Sequence, residues 1–332
     1  MNDVPPSYRL LPGAPESPVL LHVPHGSRVI PADVRDGIVL DDAALERELD
    51  HITDAYTDRV AERAAERSAV RPWRFVNQLS RLVVDPERFP DEREEMLAVG
   101  MGAVYTRTTH GEVLRPAGRD GLPFGDGLSP GDGLSFGDGQ PPGGGQSLGG
   151  GQPPGGGQSL GGGQPPGSGQ SLGGGKPLGG GHSPGGGQSL IDRYFHPYAA
   201  AMTDAVTDRL AAVGRAVIVD VHSYPSEPLP YELHGDGPRP PVCLGTDPFH
   251  TPAYLTAAAG EAFAGFGGTG VDSPFGGAYV PLKYYGHDPR VTALMIEIRR
   301  DVYMTEPGGA AGPGVGVLAD ALARLVDVLT TV

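Results

Sequence analysis

Seven consecutive residues, Val217-Ile218-Val219-Asp220-Val221-His222-Ser223, constrain this chain more than any other stretch. The β-branched run lacks the alternation of a half-exposed strand, so it reads as a strand buried on both faces. Such a strand needs cover on two sides, which favours an α/β domain with a mostly parallel sheet. The run ends in Asp220 and His222, and in open α/β sheets ligands sit beyond the carboxyl ends of strands. A lone histidine at such a place is more often structural. A second stretch of the same form, Val19-Leu20-Leu21-His22-Val23-Pro24-His25-Gly26, again delivers a histidine at its end, and two of them point to a metal site.

A large block of the 332 residues cannot belong to any core. Between Gly139 and Gly187 the chain repeats with a period of 12, in a Gly/Pro/Gln/Ser-rich segment that spans residues 116–189. The segment lacks the three-residue period of collagen and has too few apolar residues to offset its ordering entropy. It is expected to be a disordered insertion, and His182 inside it is not expected to bind anything. Doubling the length of a loop costs only about 0.6 kcal/mol, so the fold can carry it. Residues 1–115 and 190–332 are then expected to form a single domain.

A net charge of −15 and a pI near 5.0 argue against nucleic acid and anionic membranes as partners. A single cysteine, Cys243, excludes an intramolecular disulfide and a Cys-rich zinc motif. No apolar run reaches the roughly 20 residues that span a bilayer. The first residues lack the pattern of a secretory leader, so a cytoplasmic location is expected.

Further elements follow from local pattern. Asp41 and Asp42 are expected to cap a helix over residues 44–66, whose buried stripe is Leu45, Leu49, Ile52, Tyr56 and Val60. Asp54 and Asp58 would share one face of it, as a solvated acidic patch or beside a cation. Short strands are expected at 74–76, 81–85 and 103–106, and a helix at 91–99. After the repeat come a helix ending at Gly214, strands at 216–221, 241–247 and 291–300, and a closing helix at 315–329. Thr251 is expected to cap a further helix with Pro252 at its first position. Glu297 stands inside the apolar run Ala293-Leu294-Met295-Ile296-Glu297-Ile298, where a carboxylate is costly without a partner or a function. Arg81 and Arg88 flank a Pro-bounded loop. They are candidates for gripping an anionic substrate, since a guanidinium matches a carboxylate bidentately, or are ordinary ion-pairing residues.

Two histidines and one carboxylate with an open fourth position form the ligand set of catalytic zinc, beside which a separate glutamate serves as general base. Asp220, two residues before His222, is placed to orient that imidazole. There is no H-E-x-x-H motif.

Several blocks, in order, resemble the N-formylglutamate amidohydrolase family. They are His22-Val-Pro-His25-Gly, Thr53-Asp54-Ala-Tyr56-Thr57-Asp58, Ser80-Arg81-Leu-Val-Val-Asp85-Pro-Glu-Arg88-Phe89, Gly102-Ala-Val-Tyr105, Asp220-Val-His222-Ser223, Leu244-Gly-Thr-Asp247 and Ile296-Glu297-Ile. The resemblance covers nearly the whole chain outside the repeat. It implies a three-layer phosphorylase/hydrolase-like α/β fold of the zinc exopeptidase kind, with a mostly parallel mixed sheet. It also implies an amidohydrolase that releases formate and L-glutamate from N-formyl-L-glutamate, a late step of histidine breakdown.

By that resemblance His25, Asp54 and His222 would hold Zn2+ and Glu297 would be catalytic. Arg81, Arg88 and Arg299 would hold the carboxylates of a small N-acyl amino acid. The related aspartoacylases carry their ligating carboxylate in His-Gly-x-Glu. Here the run is His25-Gly26-Ser27-Arg28, so the third ligand comes from elsewhere, with Asp54 preferred over Asp58 or Asp50. Glu87 stands where those relatives have the Asn of an Asn-Arg pair. Two other readings are a zinc hydrolase of another N-acyl amino acid or peptide end, and a non-catalytic scaffold acting through the repeat. A serine hydrolase is disfavoured, because Ser223 lacks the G-x-S-x-G turn.

Overall fold

The apolar runs found above lie side by side. In the computed structural model, which describes residues 6–116, 189–233 and 237–332, seven strands make one mixed sheet. They are β1 (Tyr8–Leu11), β2 (Val19–Val23), β3 (Trp73–Asn77), β4 (Ala216–Tyr224), β5 (Val242–Gly245), β6 (Thr269–Val271) and β7 (Val291–Arg299), in the order β1-β3-β2-β4-β7-β5-β6. The central β3, β2, β4 and β7 are parallel. At the edges β1 runs antiparallel to β3, and β5 antiparallel to β7 with β6 parallel to β5. The helices are α1 (Ala32–Arg35), α2 (Asp42–Ile52), α3 (Thr57–Arg67), α4 (His196–Val213), α5 (Ala253–Ala262) and α6 (Gly314–Thr331). The repeat, with its expected disorder and His182, lies outside the described residues.

Side chains alternate between the faces of a strand, so each central strand feeds two layers. On one face Val19, Leu21 and Val23, then Val217, Val219 and Val221, then Leu294, Ile296 and Ile298 form one apolar cluster with α3, α5 and α6. On the other, Leu20, Ile218 and Ala293 pack with Tyr198, Met202, Ala205 and Val206, which extend from α4. Full burial of each such aliphatic side chain stabilises by about 1.5–3 kcal/mol. Further along those same rows stand His22, Asp220, His222 and Glu297, all buried. The α4 face thus changes from apolar to ionisable at the carboxyl ends of the parallel strands.

The expected helix over 44–66 is two helices. It stops at Ile52 and restarts at Thr57, with Tyr56 in the left-handed region at φ 68°. The freed backbone groups are satisfied: the Asp54 N–H donates to the His25 carbonyl at 3.0 Å, and the Thr57 hydroxyl donates to the Asp54 carbonyl at 2.7 Å. Asp54 and Asp58 therefore do not share a helix face. The expected strands at 81–85 and 103–106 are turns with a single bridge between Met101 and Tyr105, and only residues Glu95–Val99 of 91–99 are helical, as a 3-10 turn. Thr251 does not cap α5, because its hydroxyl donates instead to the Ala293 carbonyl at 2.6 Å.

Candidate active site

Three adjacent parallel strands converge on the site. In register, His22 of β2 stands beside Asp220 of β4, and His222 of β4 beside Glu297 of β7. His25 follows β2 after Pro24, whose carbonyl accepts from the Asn77 side chain at 2.8 Å and so ties the turn to the end of β3. The break between α2 and α3 inserts Asp54. All of these except His22 line one cavity of about 790 Å³, together with Arg81, Glu87, Arg88 and Arg300.

The two histidines meet through their Nδ1 atoms, 3.2 Å apart. Asp54 Oδ2 lies 3.2 Å from His222 Nδ1 and 3.6 Å from His25 Nδ1. The opposite ring nitrogens also face acids. His25 Nε2 is 2.9 Å from Asp85 Oδ1, while His222 Nε2 is 3.2 Å from both Asp220 Oδ1 and Glu87 Oε2. Glu87 Oε2 is further 3.5 Å from His25 Nε2, which makes Glu87 a rival to Asp54 as the acid grouped with the two histidines. The Nδ1 side is the better-formed one. There, one carboxylate oxygen faces two nitrogens, and the other nitrogen of His25 is held by Asp85, a partner of the kind that fixes the tautomer of a ligating histidine, while His222 Nε2 lies near Asp220 and Glu87 without a hydrogen bond.

Arginines hold the acids in turn. Arg81 Nε and Nη2 donate to Asp85 Oδ2 at 3.0 and 2.6 Å, and the Tyr105 hydroxyl adds a third bond at 2.6 Å. Arg300 Nη2 donates to Asp54 Oδ1 at 3.1 Å and Nε to Ser223 Oγ at 3.2 Å. Burial alone would raise the pKa of Asp54, but its bonds to His222 and His25 outweigh that and hold it below the carboxylate range. Burial likewise opposes ionisation of Asp85, and Arg81 overcomes it. Glu87 is pushed up by burial and by the charge of Asp220, against the opposing charge of His222. Glu297 is the acid without such support. Burial pushes it up to about 7, with His222 opposing and Asp54 reinforcing, and its Oε2 has no hydrogen-bond partner among the described residues.

The structure separates the acids and arginines that sequence reasoning treated alike. Asp58 is exposed and caps the Arg59 N–H, and Asp50 pairs with Arg28 at 2.7 Å, so of the three candidate acids only Asp54 enters the site. Arg81 is committed to Asp85. Arg88 lines the cavity with a quarter of its side chain exposed, 3.4 Å from Glu94. The expected role of Arg299 does not survive: its guanidinium pairs with Asp301 at 2.7 Å and bonds the Arg239 carbonyl, away from the cavity. Arg300 takes the inward place, because the chain turns into a 3-10 helix (Arg300–Val302) after β7 and the two-residue alternation ends there. Asp85 was also missed, although it closes the apolar run Leu82-Val83-Val84 in the same manner as the strand-end residues.

The three-layer α/β architecture thus gathers buried histidines, carboxylates and a glutamate of raised pKa at the strand ends, a set of groups able to do acid–base chemistry. The N-formylglutamate amidohydrolase family matches residues 17–122 and 173–304, and the chain belongs to that family. It is therefore a hydrolase of amide bonds. Two solved structures are similar in fold. One is an N-formylglutamate amidohydrolase from Ralstonia eutropha JMP134, at 18% identity and a TM-score of 0.64 over 98% of this chain and 97% of that one. The other is a gene product from Agrobacterium tumefaciens, at 16% identity and a TM-score of 0.56 over 98% and 96%. No curated protein matches the sequence. Among the described residues no helix is long and apolar enough to cross a membrane.

Proposed function

We propose that this protein hydrolyses N-formyl-L-glutamate to formate and L-glutamate, the reaction that closes histidine breakdown, with a divalent cation, Zn2+ foremost, at His25 Nδ1, His222 Nδ1 and Asp54 Oδ2. The observation that carries the cation is the triangle of those atoms, with edges of 3.2, 3.2 and 3.6 Å. Ligands about 2.0–2.1 Å from a tetrahedral zinc stand roughly 3.3 Å from one another. Charge supports the same reading. Arg81 and Arg88 pair with Asp85 and Arg300 with Asp54, whereas Glu87, Asp220 and Glu297 pair with no arginine or lysine among the described residues, an acid excess that a divalent cation offsets.

A cation there would supply Lewis acidity towards a carbonyl oxygen and a water molecule. Glu297, with a pKa near 7, is able both to accept a proton from that water and to return it to the leaving amine nitrogen. Asp85 holds the His25 imidazole in orientation, and Arg300 holds Asp54. Arg88 at the cavity wall supplies a guanidinium for a substrate carboxylate. The cavity is several times the volume of this small dianion, so a larger N-acyl amino acid or a peptide end is the second reading.

The test is a hydrolysis assay of zinc-loaded protein over a panel of N-acyl amino acids. N-formyl-L-glutamate is expected to have the highest kcat/KM. A preference for a bulkier acyl group would favour the second reading, and no turnover of any N-acyl amino acid would overturn both.

A further inference from the structure

On the other side of the His222 ring lies a second group of ligating atoms that the reaction above does not use. His22 is fully buried, and its Nδ1 stands 2.8 Å from Asp220 Oδ1 and 3.5 Å from Glu87 Oε1. Its Nε2 lies 2.6 Å from the Tyr198 hydroxyl, and the Tyr279 ring, with centroid 4.9 Å away, packs against the imidazole. At 2.8 Å a ring nitrogen and a carboxylate oxygen ordinarily form a strong hydrogen bond. Here they do not align for one. His22 Nδ1, Asp220 Oδ1 and Glu87 Oε1 all lack a hydrogen-bond partner among the described residues. Buried polar atoms left in that state are costly, and several of them converging on one point call for a bound species. A proton joins two of these atoms at most, whereas a cation accepts lone pairs from several directions at once.

We propose that the protein holds a second divalent cation behind His222, through His22 Nδ1, Asp220 Oδ1 and Glu87. One imidazole and two carboxylates suit a borderline ion such as Zn2+ or Co2+. The edges of 2.8 and 3.5 Å span the roughly 2.8–3.4 Å between neighbouring ligands of octahedral or tetrahedral sites with bonds of about 2.0–2.1 Å. The site is built from rigid parts: His22 and Asp220 are register partners on β2 and β4, and Glu87 follows Pro86 in the loop that carries Asp85.

The two sites have no ligand atom in common, so this inference and the proposed catalytic cation can fail separately. The experiment is a titration of chelator-stripped protein with Co2+, with bound metal counted by equilibrium dialysis, for the wild type and for His22→Gln, Glu87→Gln and His25→Ala. Two equivalents are expected for the wild type and one for each variant, with the second dissociation constant weakened at least tenfold by Glu87→Gln. Glu87 lies at the cavity wall, so that variant reports even where His22→Gln fails to fold, and because its Oε2 also stands near His25 and His222, its loss of one equivalent counts for the second site where His25→Ala keeps one. A single wild-type equivalent that His25→Ala loses and both other variants keep would overturn the second site and leave the first. A single equivalent lost in His22→Gln and Glu87→Gln but kept in His25→Ala would support the second and remove the first. Two equivalents retained in both His22→Gln and Glu87→Gln would overturn the proposal outright.

Discussion

The two faces of β4 and β7 are made from residues one position apart, yet they do opposite work. Val217, Val219, Val221 and Ile296 are sealed between the sheet and α3, α5 and α6 in one apolar cluster. Asp220, His222 and Glu297 are almost as deeply buried and carry charge, or a proton in place of one. Burial on the first face stabilises the fold, while burial on the second shifts proton affinities and costs stability unless partners offset it. The comparison teaches that depth alone does not separate core from active site; the row a residue stands in does.

The sharpest way to break this contrast is to exchange neighbours across the faces. Glu297→Gln is expected to reduce turnover by roughly 10²–10⁴, the usual contribution of a general base, while the protein keeps its metal content. Loss of metal in that variant would make Glu297 a ligand instead. Next door, Ile296→Ala is expected to destabilise by about 2–5 kcal/mol in a denaturant titration and to leave turnover per folded molecule within a few-fold. A large loss of turnover with unchanged stability would dissolve the distinction between the faces.

A smaller effect is written in pH. The folded pKa of Glu297, about 7, lies above its ordinary value of 4.5, so the folded state binds the extra proton between those limits. The contribution of Glu297 to stability therefore falls as pH rises through that window, at most by roughly 1.4 kcal/mol per pH unit. In metal-free protein the melting temperature of Glu297→Gln should gain on that of the wild type from pH 4.5 to 7 and hold level beyond. A gap that is independent of pH would mean that Glu297 is ionised in the fold. The smallest expected change is that of Arg299→Ala, whose partly exposed pair with Asp301 is worth about 0–1 kcal/mol. Its kcat/KM should stay within a few-fold of the wild type, and a fall beyond tenfold would return Arg299 to the site.

Much of the fold was legible because an apolar run closed by polar residues is a local signal. β2, β4, β5 and β7 all carry it, and so did His25, His222 and Glu297, which stand around one cavity. The parts that were missed depend on distant partners. The gap between α2 and α3 is stabilised by the bond from Asp54 to the carbonyl of His25 and by the Tyr56 hydroxyl, which donates to Gly309 at 3.0 Å; neither is visible in a helical stripe that runs unbroken through both helices. The commitment of Arg81 to Asp85 and the inward turn of Arg300 arise only once the loops close over the sheet. β1 and β6 are edge strands of four and three residues, too short to show a period.

The pairing of β2 with β4 has one more consequence. His25 and Asp54 precede residues 117–188 and His222 follows them, while His22 and Glu87 precede them and Asp220 follows. Each group of ligating atoms therefore straddles the same seam between two stretches of chain. A metal ion seated in either group would act as a staple across that seam, adding RT ln(1 + [L]/Kd) to the free energy of unfolding, about 2.7 kcal/mol at a hundredfold excess over Kd. Chelation would then loosen the joint between the two stretches as well as silence the chemistry. Separately expressed fragments, residues 1–116 and 189–332, would recombine more tightly when metal is present.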